Sequence, residues 1–142
     1  MSEPLPPALF FYGVLRPDLA SGRMADLVAL LGPATPASVA GSLFAVADPD
    51  GHYPAMIAGP DRVQGTLLPL GPAFDHAELA ELDAFEGPAY RRVAVIARLE
   101  DGSERTADAY LWCGPTSPNL APIPHGDFAR YLSETGAPPL PG

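Results

Sequence analysis

Fourteen glycines and nineteen prolines punctuate a chain of 142 residues, and their placement limits where helix can form. In a helix interior, glycine costs about 1 kcal/mol and proline about 3 relative to alanine. Ten of the nineteen prolines fall in residues 1–7 or 114–142. The ends therefore read as a short extended tail and a meandering C-terminal wrap around a compact middle. The length suits one domain over 1–142 and allows a core without disulfide or metal staples. With 47% hydrophobic and 18% charged residues, the composition is that of an ordinary globule.

Between the breakers, hydrophobic periodicity predicts the elements. Residues 8–12 form a continuous apolar run stopped by Gly13, the pattern of a buried strand. Residues 21–31 carry Met24, Leu27, Val28 and Leu31 at helical spacing, with Ser21 as N-cap and Gly32-Pro33 as the stop. Residues 38–47 alternate, with Val39, Gly41, Leu43 and Ala45 on one face, and Asp48-Pro49-Asp50-Gly51 follows as a turn. Residues 53–58 predict a short strand at an edge, because Pro54 lacks an N–H; residues 62–70 predict another. The clearest helix spans 75–86, with Asp75 and Glu78 as a capping box and Gly87-Pro88 as its stop. Residues 90–99 and 104–113 predict a hairpin across 100–103. A last helix over about 127–134 buries Phe128, Tyr131 and Leu132. Strands that follow one another with few helices between them place the chain in the α+β class. The expectation is a mixed, largely antiparallel, barrel-like sheet with flanking helices.

Charge and residue usage exclude whole chemistries. All eight basic residues are arginine, against seventeen acidic ones, for a net charge of −9. Without lysine there is no side-chain Schiff base and no Walker A loop. A surface of this sign repels phosphate backbones and anionic lipid, so neither nucleic acid nor membrane is an expected partner. The single cysteine, Cys113, excludes an internal disulfide. His52, His76 and His125 lack metal-ligand spacing, and Asp48, Asp50 and Asp61 make no full oxygen loop, so no metal is expected. Residues 1–13 lack the basic region and long apolar stretch of a signal peptide, and the expected compartment is the cytoplasm. Oligomeric state is not readable from the chain.

Two segments could carry chemistry. Tyr12, Gly13, Val14, Leu15 and Arg16 follow a strand at a glycine turn, where unpaired backbone N–H groups bind carboxylates or phosphates; the alternative is a plain turn. Glu86 lies in the last turn of the predicted helix, facing the negative end of its dipole at a cost of roughly 0.3–1 kcal/mol. That field favours the neutral acid, a useful property in a group that both accepts and donates a proton; the alternative is a solvated surface glutamate. Cys113 with His125 and Asp127 could form a triad, but a buried, inert thiol at the end of an alternating strand is the simpler expectation.

The pieces Tyr12-Gly-x-Leu-Arg16, Gly41-x-Leu-Phe44, Tyr53-Pro-Ala55, Val63-x-Gly-x-Leu67, Leu82-Asp-x-x-Glu-Gly87 with Tyr90-x-Arg92, Ala109-Tyr110-x-Trp112 and His125-Gly-Asp-Phe128 occur in order over residues 8–132. Together they resemble the γ-glutamylcyclotransferase-like (AIG2-like) family. Val14 departs from the Thr or Ser usual there. The resemblance implies a γ-glutamylcyclotransferase-like fold and a cofactor-free lyase or acyltransferase reaction on a small γ-glutamyl substrate. The substrate's α-amine attacks its own side-chain carbonyl, releasing 5-oxoproline and an amine or amino acid. It further implies Glu86 as the catalytic proton carrier, and Tyr12, Gly13, Val14, Leu15 and Arg16 as the substrate-binding segment, with the backbone N–H groups along Tyr12–Leu15 gripping the substrate carboxylate. The alternative expectation is a non-catalytic module that uses the same pocket to bind a small ligand or a protein.

Overall fold

The computed structural model describes residues 5–13, 22–48, 51–114 and 120–136. Its elements are, in order, β1 (Ala8–Phe11), α1 (Gly22–Val28), β2 (Thr35–Asp48), β3 (Gly51–Pro69), α2 (His76–Glu86), β4 (Tyr90–Leu99), β5 (Glu104–Trp112), β6 (Leu120–Pro122) and α3 (Phe128–Thr135). Five strands run in the order β3-β1-β5-β4-β2, and β2 pairs back onto β3 to close a barrel. Every neighbour is antiparallel except β1 and β5, which run parallel with Leu9 opposite Asp108. Strand β6 adds to the outer part of β2 at Phe44–Val46.

The period-two alternation of the strands sorts side chains into two cores. Inside the barrel lie Phe10, Tyr12, Val39, Leu43, Met56, Val63, Ala97, Ala107, Ala109 and Phe128. Between the barrel wall and helices α1 and α2 lie Leu9, Phe11, Leu27, Leu68, Leu79, Leu82 and Tyr110. Strand β1 is thus buried on both faces, which is why its sequence is an unbroken apolar run. In a five-stranded barrel the interior is narrow, and alanines on β4 and β5 leave room there for the Phe10 and Phe128 rings.

Three expectations change. Residues 53–58 and 62–70 are not two strands but parts of one, β3, which bends rather than stops at Gly59-Pro60-Asp61. There a step of two residues in β2 (Ala40 to Ser42) faces a step of five in β3 (Arg62 to Ile57). Such a bulge turns a strand around a tight barrel. Pro54 does lie on a half of β3 that pairs only with β2 among the described residues, opposite Ala45. The short strand β6 went unpredicted, since three residues between prolines carry no periodic signal. Cys113 was expected in a buried strand position; β5 ends at Trp112, and Cys113 is exposed, its Sγ donating to the Pro88 carbonyl at 3.4 Å. The Ser21 cap and the turn residues Pro49 and Asp50 lie outside the described residues.

Helix α2 starts on the expected capping box: the Asp75 side chain accepts from the His76 N–H at 2.8 Å, and Glu78 accepts from the Asp75 N–H at 2.8 Å. Asp127 caps α3 by accepting from the Arg130 N–H at 3.2 Å. The preceding Gly126 has φ +73°, and a Cβ there would stand 2.0 Å from the Arg62 carbonyl oxygen. Its own carbonyl accepts from the Gln64 N–H at 2.7 Å, fastening the α3 entry to β3. Gly126→Ala therefore combines left-handed strain with an immovable backbone contact, and is expected to cost at least about 2 kcal/mol. A denaturant titration checks this; a loss under 0.5 kcal/mol on the surface-substitution scale would contradict it.

Candidate active site

Glu86 is the last residue of α2, and no basic side chain lies in that final turn. The preceding residue, Phe85, packs on both cores, and Glu86 itself is partly exposed. Burial of the carboxyl, with Asp83 one turn earlier adding like charge, pushes Glu86 up to about 7. Glu86 makes no hydrogen bond to another described residue. The helix dipole acts in the same direction.

Two tyrosines lie within electrostatic reach of that carboxyl. Tyr12 is buried; its hydroxyl donates to the Tyr110 carbonyl and accepts weakly from the Met56 N–H at 3.4 Å. Burial and the Glu86 charge raise it well above the ordinary phenol range. The Tyr110 hydroxyl donates to Asp83 Oδ1 at 2.7 Å, and burial together with Asp83 holds it strongly raised. Both phenols are neutral hydrogen-bonding groups at neutral pH.

Asp83 Oδ1 also accepts from Arg92 Nε at 2.9 Å, and Arg92 Nη1 donates to Asp108 Oδ2 at 2.5 Å. Burial works against the Arg92 charge, but these two carboxylates more than offset it and keep the guanidinium protonated. Arg92 and Tyr110 are directly opposed across the β4–β5 ladder, and Asp108 lies two residues from Tyr110 on the same face.

The sequence candidates separate as follows. Tyr12 and Glu86 come together. At Gly13 the missing side chain makes room for protein: a Cβ there would lie 2.3 Å from the Pro54 ring, whose carbonyl accepts from the Tyr90 hydroxyl. Val14, Leu15 and Arg16 lie outside the described residues. The Tyr12 side chain is engaged inward, so any role of that residue in binding falls to its backbone. His125 pairs with Glu134 at 3.1 Å and Asp127 caps α3, whereas Cys113 bonds to the Pro88 carbonyl, so the three do not form a triad. Asp61 accepts from Ser42 at 3.3 Å, and no group of three or more potential metal ligands occurs among the described residues. No described helix is long and apolar enough to cross a membrane. Sequence reasoning quoted Asp83, Arg92 and Tyr110 within motifs but assigned them no role, and passed over Asp108. The signal available was parity, since Asp108, Tyr110 and the facing Arg92 share one side of a hairpin.

The fold recurs in solved structures. YkqA from Bacillus subtilis superposes with a TM-score of 0.67 at 20% identity over 93% of this chain, which spans only 43% of YkqA. A protein described as a gamma-glutamyl cyclotransferase gives 0.63 at 19% identity, covering 93% of this chain and 81% of that one. A mouse AIG2-like protein gives 0.60 at 18% identity, with 80% of each chain covered. No curated protein matches the chain. A profile of the family described as gamma-glutamyl cyclotransferase, AIG2-like, matches residues 9–130, a span that runs from the barrel's first strand into its last helix and includes Tyr12, Asp83, Glu86, Arg92 and Tyr110. By that match this small closed barrel belongs to the gamma-glutamyl cyclotransferase, AIG2-like family.

Proposed function

We propose that the protein is a γ-glutamylcyclotransferase-type enzyme that cyclises a small γ-glutamyl compound to 5-oxoproline and releases the attached amine or amino acid. The observation that carries this reading is Glu86, a carboxyl pushed up to about 7 at the end of α2 beside Tyr12 and Asp83. A group poised near the working pH both accepts and returns a proton efficiently.

The substrate's ammonium gives a proton to the Glu86 carboxylate. The freed α-nitrogen forms a bond to the side-chain carbonyl carbon. As the tetrahedral centre collapses, the bond from that carbon to the leaving nitrogen breaks, and Glu86 returns its proton to the departing amine; the ring nitrogen sheds its second proton, which the released amine takes up to leave as an ammonium. The nucleophile belongs to the substrate, so the protein needs neither lysine nor a reactive thiol. Ring closure gains chiefly from orientation, which binding of the α-carboxylate on the backbone N–H groups of residues 12–16 would provide. Strand β1 leads into that segment, and α2 ends at Glu86.

The test is incubation with a γ-glutamyl amino acid, γ-glutamyl-ε-lysine, glutathione and a γ-glutamyl amine, with detection of 5-oxoproline. Release from at least one compound is expected. Saturable binding of these compounds with no 5-oxoproline from any of them would overturn the enzyme reading and establish a binding module instead.

A further inference from the structure

Asp83 is the point at which three elements meet. Its carboxylate, on α2, accepts from Arg92 on β4 through Nε at 2.9 Å and Nη2 at 3.4 Å, and from the Tyr110 hydroxyl on β5 at 2.7 Å. The Tyr110 carbonyl accepts from the Tyr12 hydroxyl, just past the end of β1. Asp108 takes the remaining arm of Arg92. Glu86 stands three residues further along α2, on the neighbouring turn of the same helix face. The cluster holds one cation between two carboxylates, so it keeps a net negative charge beside Glu86.

We propose that Asp83 is a positioning residue of the cyclisation: Arg92 and Tyr110 clamp its carboxylate one helical turn before Glu86, so that its charge is fixed in place beside the proton carrier. This rests on the cyclisation reading and deepens it. An exposed ion pair at this place would be worth little for stability, and the Asp83 side chain is 42% exposed. Its bonds reach inward, however, to a largely buried phenol and a guanidinium only 22% exposed. The groups in electrostatic contact with Glu86 are Asp83 from α2, Tyr12 from the end of β1 and Tyr110 from β5; Arg92 from β4 and Asp108 from β5 join the cluster through Asp83. Beside burial, the larger cause, Asp83 is the negative charge that raises Glu86.

Asp83→Asn retains the shape and one acceptor oxygen but removes the charge. The experiment follows the side-chain carboxyl of Glu86 by ¹³C NMR in glutamate-labelled protein, with the signal assigned by its loss in Glu86→Gln, alongside the pH dependence of kcat. In Asp83→Asn the Glu86 midpoint is expected to fall by about one pH unit. The acid limb of kcat should move with it, and the plateau should drop about ten- to a hundredfold as orientation is lost, with KM little changed. A lower melting temperature with the midpoint and acid limb left at their wild-type positions would make Asp83 merely structural and overturn the proposal. Should Asp83→Asn fail to fold, Arg92→Gln carries the test with opposite sign: the unopposed Asp83 charge should raise the Glu86 midpoint, and an unchanged midpoint would be fatal. A wild-type protein that turns over no γ-glutamyl compound defeats the cyclisation reading itself, whatever the NMR midpoints show.

Discussion

Glu86→Gln is expected to lower turnover of a γ-glutamyl substrate by at least about 10²–10⁴-fold, the usual loss for a general acid–base and more where one group serves two proton transfers. The same substitution is expected to stabilise the protein above neutral pH. Folding raises Glu86 from its ordinary 4.5 to about 7. Between those values the native chain binds more protons than the unfolded one, so stability falls as pH rises through that window and levels off above it. The full penalty at pH 8 is up to about 3 kcal/mol by the standard conversion of pKa shift to free energy. Glutamine has nearly the same shape and carries no charge to desolvate or to oppose the helix dipole. Wild type and variant should therefore be equally stable near pH 4 and diverge toward pH 8. Urea titrations at both pH values, with 5-oxoproline release as the activity readout, check both halves. Equal turnover by the two proteins would exclude Glu86 as the proton carrier, and parallel pH profiles of stability would exclude its raised proton affinity.

Phe128→Ala is expected to cost about 3–5 kcal/mol, the range for removing a buried aromatic ring. Phe128 is fully buried in the barrel interior beside Ala97, Ala107 and Ala109, which are themselves fully buried. Its ring stacks on Tyr131 with centroids 5.9 Å apart. Alanines cannot reach into the space the ring would leave. Alanine is also the better helix former, so a loss cannot be assigned to helix propensity in α3. Against a total stability of about 5–15 kcal/mol for a domain of this kind, the change is severe. A lower urea midpoint at unchanged slope is the expected signature; a loss below about 1 kcal/mol, the scale of a tolerated core swap, would mean that α3 is not seated in the barrel.

Local chemistry was legible in the chain, and pairing across the barrel was not. Helix α2 was readable because Asp75, Glu78 and Gly87 settle its ends within a few residues. The β4–β5 hairpin was readable because its alternation is long and its turn is short. Strand β3 was misread for a physical reason: Gly59-Pro60-Asp61 has the composition of a turn, and only the curvature of a closed barrel shows that the chain bends there and continues in the same strand. Cys113 illustrates a related error. By parity it follows Ala107, Ala109 and Leu111 toward the interior, yet β5 ends one residue earlier and releases it to the surface. For the site, the helix end singled out Glu86 because a carboxylate at a negative dipole is anomalous in the sequence itself. The Asp83–Arg92–Asp108–Tyr110 cluster draws on three elements, and nothing local announces that they meet.

The parallel pairing of β1 with β5 also sets a timetable for how the protein comes into being. Leu9 waits for Asp108, which emerges roughly 100 residues later, about 5–20 s at ordinary rates of translation. The β2–β3 hairpin can form long before that, because its strands are adjacent in the chain. Folding dominated by such distant contacts takes about milliseconds to seconds once all parts exist, so closure is limited by synthesis rather than by the search. Both edges of Ala8–Phe11, destined for burial on both faces, are unpaired until the end of β3 is made, and one stays so until β5 arrives. Until β5 arrives, the most apolar strand of the barrel is thus a ready template for strands of other chains.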